Sequence, residues 1–179
     1  MSSKRLSKLD APKILKNDEK VMGDNDFIVS KTDTKGFITY CNHIFMEMSM
    51  YTFDQLIGAN HNLIRHPDMP RIAFKLLWDL LKQKKEFFGF VKNLRKDGGY
   101  YWVFANITAS VDANGNVVGY YSVRRKPSRK GIEAVIPLYK QLVSAEQRGG
   151  MAASEALLMD FLKKNNTTYE ELVTSLQAM

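Results

Sequence analysis

Apolar and polar positions alternate with a period of two in five short stretches, and with a helical period between the second and third of them and again near the end of the chain. That order predicts two strands, a block of helices, three strands and a helical tail. Residues 27–31, the turn Asp33-Thr34-Lys35-Gly36 and residues 37–41 read as a hairpin, because Gly36 can adopt the positive φ that such turns need. Asn42 is placed to cap a short helix through Met50, and Thr52 followed by Gln55 has the capping-box pattern for another that ends at Gly58. Asp68 is expected to cap a longer helix that runs to about Lys84, with Pro70 in its first turn, where no N–H donor is required. On that helix Met69, Ile72, Ala73, Leu76 and Leu80 form one apolar stripe, and Phe74, Leu77, Trp78 and Leu81 form a second beside it. So wide a face has to be covered on more than one side.

Three further strands, 87–95, 100–110 and 116–126, are separated by the turns Lys96-Asp97-Gly98-Gly99 and Asp112-Ala113-Asn114-Gly115. The implied class is α+β, a five-stranded antiparallel sheet with the intervening helices on one face, and the space between helices and sheet is the natural ligand site. On the fourth strand Trp102 and Phe104 share one face, and Val103, Ala105 and Ile107 the other. If the smaller residues look at the helices, a flat ligand has room and the bulky face needs a terminal helix or a second subunit over it. Alternation alone also allows the reverse parity, or an ordinary close-packed interior. Beyond Pro127 a helix over 132–147 is broken at Arg148-Gly149-Gly150, a second starts near Ser154, and Thr168 caps a last short one. The chain therefore divides into an N-terminal extension or cap (1–24), a folded domain (25–127) and a helical extension for docking or dimerisation (128–179).

Composition narrows the possibilities. With 179 residues, 45% hydrophobic and 11% aromatic, the chain can build a real core, which excludes wholesale disorder. No stretch approaches the run of about 18 apolar residues that crosses a bilayer; residues 72–81, the most apolar, are broken by Lys75 and Asp79. The N-terminus lacks the apolar block of a secretory signal, so cytoplasm is the expected compartment. The single cysteine, Cys41, rules out an intramolecular disulfide and a CxxC metal site, and its strand setting reads as core filling. The net charge of +7 is concentrated at the N-terminus and in RRKPSRK (124–130), segments that suit a solvated linker, an acidic partner, acidic lipid or nucleic acid. No recognition motif accompanies the basic run, which leaves nucleic acid the weakest of these.

The densest chemistry lies in NHNLIRHPDMP (60–70). His61, His66 and Asp68 cluster there with only His43 in reserve, a poor set for a zinc site. A polar loop held by its own hydrogen bonds is one reading. An anion or dinucleotide clamp is the other: Arg65 offers a bidentate fork, and the N-terminus of the following helix adds N–H groups and its dipole. No nucleophile, base and orienting group occur together as a set, so turnover chemistry is not expected.

IVSKTDTKGFITYCN, LIGANHNLIRHPDMP, LLW, VKNLRKDGGYYWV and GYYSVRRKP, spread over residues 25–129, resemble the flavin-binding PAS domain of bacterial aerotaxis receptors. The resemblance implies a PAS fold, noncovalent FAD, and a sensor of redox state or oxygen that signals to a chemotaxis receptor or another signalling protein; this chain, with no integral membrane segment expected from its hydropathy, is expected to form a homodimer. It assigns FAD contacts to Arg65, His66 and Asp68 in the loop, Phe74 and Trp78 on the helix, and Asn93 on the third strand. Arg65 suits pyrophosphate, His66 and Asp68 suit the ribose or the loop itself, the two aromatics suit the ring system, and the amide offers both a donor and an acceptor; plain core packing is the competing reading for Phe74 and Trp78. The chain resembles light-oxygen-voltage flavin domains more distantly. Their photoreactive cysteine is missing from ANHNLIRH, their second ring-binding asparagine falls at Val103, and their switch glutamine falls at Arg124. Should Arg124 point inward, its cation would favour an anionic reduced flavin and raise the potential. Two alternatives stand beside FAD: haem ligated by His66 or His61, and a ligand-free PAS module associating through Trp102 and Phe104.

Overall fold

The computed structural model describes residues 5–179. Its elements follow the order β1 (Phe27–Thr32), β2 (Ile38–Cys41), α1 (His43–Ser49), α2 (Phe53–Leu56), α3 (Arg71–Lys82), β3 (Phe87–Leu94), β4 (Tyr100–Val111), β5 (Val117–Arg125), α4 (Arg129–Lys164) and α5 (Tyr169–Gln177). The strands form one antiparallel sheet in the order β2-β1-β5-β4-β3. The first and last strands thus meet at its centre, where Ser30 pairs with Ser122 and Ile28 with Arg124. The sheet and the helices on its face agree with the expected α+β class.

The register decides the parity that alternation left open. Tyr101, Val103 and Ala105 face the α1–α2 side with Ile28, Phe45, Leu56 and Leu63. Trp102 and Phe104 face the other way with Phe90, under Ile132, Val135, Leu138, Tyr139 and Leu142 of α4 and Val173 of α5. The bulky face is therefore covered by the chain's own tail. Trp102 and Phe104 keep only 6% and 3% exposure, which corrects the idea of a free association patch there.

The tail can cover so much because α4 is two helices joined by a break. Gly150 sits at φ 70 and ψ −165, a conformation open to glycine and costly for other residues, and the chain folds back on itself there. At its far end Gln177 accepts from the Ser128 N–H (2.9 Å) and donates to the Lys126 carbonyl (3.1 Å), tying the end of the tail to its start. The N-terminal segment runs beside the β3–β4 turn, where the Lys16 N–H donates to the Gly98 carbonyl and the Lys20 N–H to that of Tyr100, each at 2.9 Å.

An exposed edge at β3 would invite strand pairing. It is instead sealed by a sulfur, a loop amide and a phenol. The Lys92 N–H donates to Met69 Sδ (3.2 Å), the Lys92 carbonyl accepts from the His66 N–H (3.3 Å), and the Phe90 carbonyl accepts from the Tyr139 hydroxyl (2.8 Å).

One capping expectation fails. Asp68 does not cap α3; Pro70 occupies the N-cap and supplies no side chain. The Asp68 carboxylate turns to Lys92 Nζ at 2.6 Å, a charge-assisted contact that outcompetes a neutral backbone amide. The basic run 124–130 is not a free patch either. Arg129 makes a two-pronged contact with Glu19 at 3.1 Å per prong, Lys126 meets Asp24 at 2.7 Å, and Arg124 turns into the interior. Among the described residues no helix is long and apolar enough to cross a membrane.

Candidate ligand cavity

Between α3, the loop 60–66 and the inner face of the sheet lies a cavity of about 290 Å³, near the lower end of the range of about 300–1,000 Å³ for ligand pockets. Its walls are mostly apolar: Phe74, Leu77, Trp78 and Leu81 from α3 face Phe87 and Ile107 from the sheet. Ala105, with a single methyl group, lines it on β4. Trp78 is 38% exposed and meets Tyr120 edge-on at 5.1 Å; with the exposed Lys35 and Asn62 it marks the mouth.

Arg124 reaches the cavity from the central strand β5, and it is 2% exposed. Its Nη1 lies 3.2 Å from His61 Nε2, its Nη2 donates to the Ser30 hydroxyl, and its guanidinium covers the Phe45 ring at 4.6 Å. Its Nε has no partner, and no carboxylate pairs with it among the described residues. Burial brings its pKa down to about 10, so it remains a cation at neutral pH. The His61 ring stacks on Phe45 at 5.7 Å; burial, helped by Arg124, lowers its pKa to about 3 and keeps it neutral. Nε2 is then the acceptor for the Arg124 N–H, and the ring proton sits on Nδ1.

Asn93 lines the wall on β3 at 3% exposure. It pairs across the ladder with Tyr101, whose hydroxyl has its pKa raised by burial, against the opposing effects of Arg124 and Asn93. Arg65 also lines the cavity, with its guanidinium over the Phe74 ring at 4.0 Å, a cation–π contact that preorganises the fork. The slot therefore offers a lone cation at its inner end, an amide on one wall, aromatic faces, and a second cation.

Of the seven residues expected to hold a ligand, Arg65, Phe74, Trp78, Asn93 and Arg124 meet in this cavity. His66 and Asp68 do not line it. They lie beyond the β3 edge, where His66 Nδ1 accepts from the Asp68 N–H (3.1 Å) and its ring meets Tyr100 edge-on at 5.9 Å. Burial, reinforced by Lys92, lowers the His66 pKa to about 4, so this histidine is a neutral brace for the loop that carries Arg65. The expected helix-terminus clamp is absent as well, because the first N–H groups of α3 are taken by Glu146 of α4. Sequence reasoning missed the roles of Ser30, Ser122 and His61 here. Ser30 and Ser122 had a signal: two serines paired across the central strands at inward positions, where bulky apolar residues would be expected.

Residues 38–124 match the family model described as the PAS fold. The chain carries a PAS domain. The match begins at β2, yet β1 completes the sheet between β2 and β5. The chain is 43% identical over 121 residues to the aerotaxis receptor of Escherichia coli (strain K12), covering 68% of this chain and 24% of that protein. It is 31% identical over 97 residues to the nitrogen fixation regulatory protein of Klebsiella pneumoniae, covering 54% and 20% respectively. The chain thus spans about a quarter or less of these relatives. Among solved structures, a light-oxygen-voltage domain studied with a flavin analogue superposes with a TM-score of 0.54 at 26% identity, covering 62% of this chain and 83% of that one. The light-state LOV domain of aureochrome 1 shares the fold with a TM-score of 0.52 at 23% identity, covering 70% and 92%. Cys41, the PAS domain's one cysteine, is buried on β2 and does not line the cavity.

Proposed function

We propose that the PAS domain binds FAD noncovalently in the α3–sheet cavity and serves as a cytoplasmic redox or oxygen sensor for a chemotaxis-type signalling partner. Residues 25–127 form the sensor in this reading, with 1–24 as a cap and 128–179 as the output segment. One observation carries it: Arg124 is a buried cation without a counter-charge among the described residues, at a mostly apolar cavity that also holds an amide. An isolated buried charge is costly unless something pairs with it. A heteroaromatic ring that carries carbonyl acceptors and gains negative charge is a fitting partner.

Bound flavin supplies electron exchange and becomes more anionic on reduction. The chain's own residues supply the rest. Arg124 favours negative charge at the inner end, Asn93 can donate to one edge group and accept from another, and Phe74 and Trp78 exclude water from the ring. The cavity of about 290 Å³ suits the ring system but not a whole dinucleotide. Arg65, which lines the cavity, would be the residue to hold the phosphates. The likeness to flavin-associated light-oxygen-voltage structures and to the aerotaxis receptor supports the flavin class and the output. Haem fits less well: His66 lies outside the cavity, and the Nε2 of His61 is already engaged by a cation.

The test is the visible spectrum of freshly purified protein, before and after dithionite, followed by denaturation and chromatography of the released chromophore. A double-banded yellow spectrum that bleaches, with FAD released, is the expected result. A Soret band, or no chromophore even after incubation with FAD, overturns the proposal.

A further inference from the structure

The start of α3 lacks a cap of its own, because Pro70 occupies the N-cap position. Its first free amides are satisfied from 75 residues away: the Arg71 N–H donates to one oxygen of Glu146 (3.0 Å) and the Ile72 N–H to the other (2.9 Å). The same carboxylate lies 3.4 Å from Arg71 Nε and accepts from the Ser154 hydroxyl at 3.2 Å, and its side chain is 8% exposed. Glu146 and Ser154 flank the Gly149–Gly150 break, so one buried carboxylate fastens both limbs of the helical hairpin to α3. On its other side, the same first turn of α3 carries Phe74, with Arg65 stacked on it and facing the cavity. Glu146 is also the acidic group that acts most strongly on Arg65.

We infer that Glu146 couples the ligand cavity to the C-terminal helices, as the cap of α3 and as an internal anion competing with ligand phosphate for Arg65. The competitive half rests on the flavin reading; the capping half does not. A ligand that draws on Arg65 acts on Phe74, on which that guanidinium stacks, and so on the α3 turn that Glu146 caps, and it loosens the hairpin limb over 150–164. By reciprocity, removing the Glu146 charge takes away a negative field acting on Arg65 and tightens binding of an anionic ligand. The tail then responds to occupancy of the cavity through α3, beside the direct contact that Tyr169 of α5 makes with the cavity residue Phe87 (ring centroids 5.9 Å).

The experiment uses the full chain, its Glu146→Ala variant and the milder Glu146→Gln, which keeps one acceptor oxygen and loses the charge. Amide exchange of Arg71, Ile72 and residues 150–164 is expected to speed up tenfold or more in Glu146→Ala, with β1 and β5 unchanged; unchanged exchange overturns the inference. If Glu146→Ala fails to fold, Glu146→Gln decides, with a several-fold increase expected. FAD is expected to bind Glu146→Gln several-fold more tightly than wild type, whereas riboflavin, which has the ring but no phosphate, binds both alike. FAD and riboflavin shifting together, or neither shifting, removes the competition. If wild-type protein binds neither flavin, the cofactor reading has failed, and the coupling stands or falls on the exchange data alone.

Discussion

Two buried arginines in this molecule are treated in opposite ways. Arg95, at the end of the β3 hairpin and 9% exposed, donates to Asp18 at 3.2 Å and to Asp97 at 2.7 Å, with Met50 Sδ at 3.3 Å. Arg124, 2% exposed, finds a neutral histidine, a serine and an aromatic face. Around Arg95 the structure supplies two carboxylates, although its Nε, like that of Arg124, has no hydrogen-bond partner, and the pairing holds the N-terminal segment to the turn. Around Arg124 it supplies none among the described residues, and space adjoins the unfinished side. Both arginines are buried and both leave Nε unpartnered, so neither burial nor an orphan nitrogen marks a site; a missing counter-charge beside a cavity does.

The widest gap between filled and unfilled regions should appear on truncation. Trp102→Ala, on the packed outer face under α4, is expected to cost about 3–5 kcal/mol in urea unfolding, as a large aromatic removed from a core does. Phe74→Ala borders existing space, so the flavin-free protein should lose only about 1–2 kcal/mol, while retention of chromophore on purification drops sharply. Equal stability losses would mean that the cavity wall packs like the core.

Acid should separate the two regions next. His61 in the cavity and His66 behind the loop have pKa values lowered to about 3 and about 4. A lowered histidine pKa means the unfolded chain takes up protons first, so stability is full above about pH 6.5 and falls as pH drops below it. Each histidine contributes up to about 1.4 kcal/mol per pH unit in that window. The His66 share ends near pH 4, where the folded state also protonates, and the His61 share continues toward pH 3. Chemical denaturation at pH 7, 6, 5 and 4.5 should show the fall, and His61→Asn and His66→Asn should each remove about one proton from the slope.

The arginines themselves should respond with opposite signs. Arg95→Met leaves Asp18 and Asp97 facing each other without a cation and is expected to cost about 1–3 kcal/mol. Arg124→Met removes an uncompensated buried charge and should leave the flavin-free protein as stable as wild type or up to about 2 kcal/mol more stable. In flavin-loaded protein the same change should lower the midpoint potential, since the anionic reduced form loses its cation. A stability loss in flavin-free Arg124→Met equal to that of Arg95→Met would remove the distinction between the two.

What the sequence made legible follows the range of the interactions involved. The Asn42, Thr52 and Thr168 caps are local, and all three helices begin where those residues stand. The strand alternation was local too, and it separated Trp102 and Phe104 from Val103 and Ala105. Which face the helices covered was not legible, because that depends on β1 pairing with β5, nearly 100 residues later. Asp68 was misread for a similar reason: its partner is Lys92, two elements away. The cap of α3 was invisible because Glu146 lies in the tail, where nothing in its own neighbourhood distinguishes it from a surface glutamate. Arg65 stood out locally as a fork beside a helix start, whereas Asn93 and Arg124 were found through family resemblance, and only the register turned Arg124 inward.

The smallest effect is expected two residues from one of the most telling. Arg124 and Lys126 belong to the same basic run, which by composition alone is one feature. Arg124 faces the cavity from a central strand, whereas Lys126 lies just past the end of that strand and meets Asp24, which is 86% exposed on its side chain. Exposed pairs of this kind gain little, because water screens them and ordering two side chains costs entropy. Lys126→Ala should therefore leave urea midpoint, chromophore retention and midpoint potential within error of wild type. A shift in the potential on losing Lys126 would mean that the cavity responds to the total charge of the run, and the account of Arg124 as a buried, unbalanced cation acting at short range would have to give way to a long-range field.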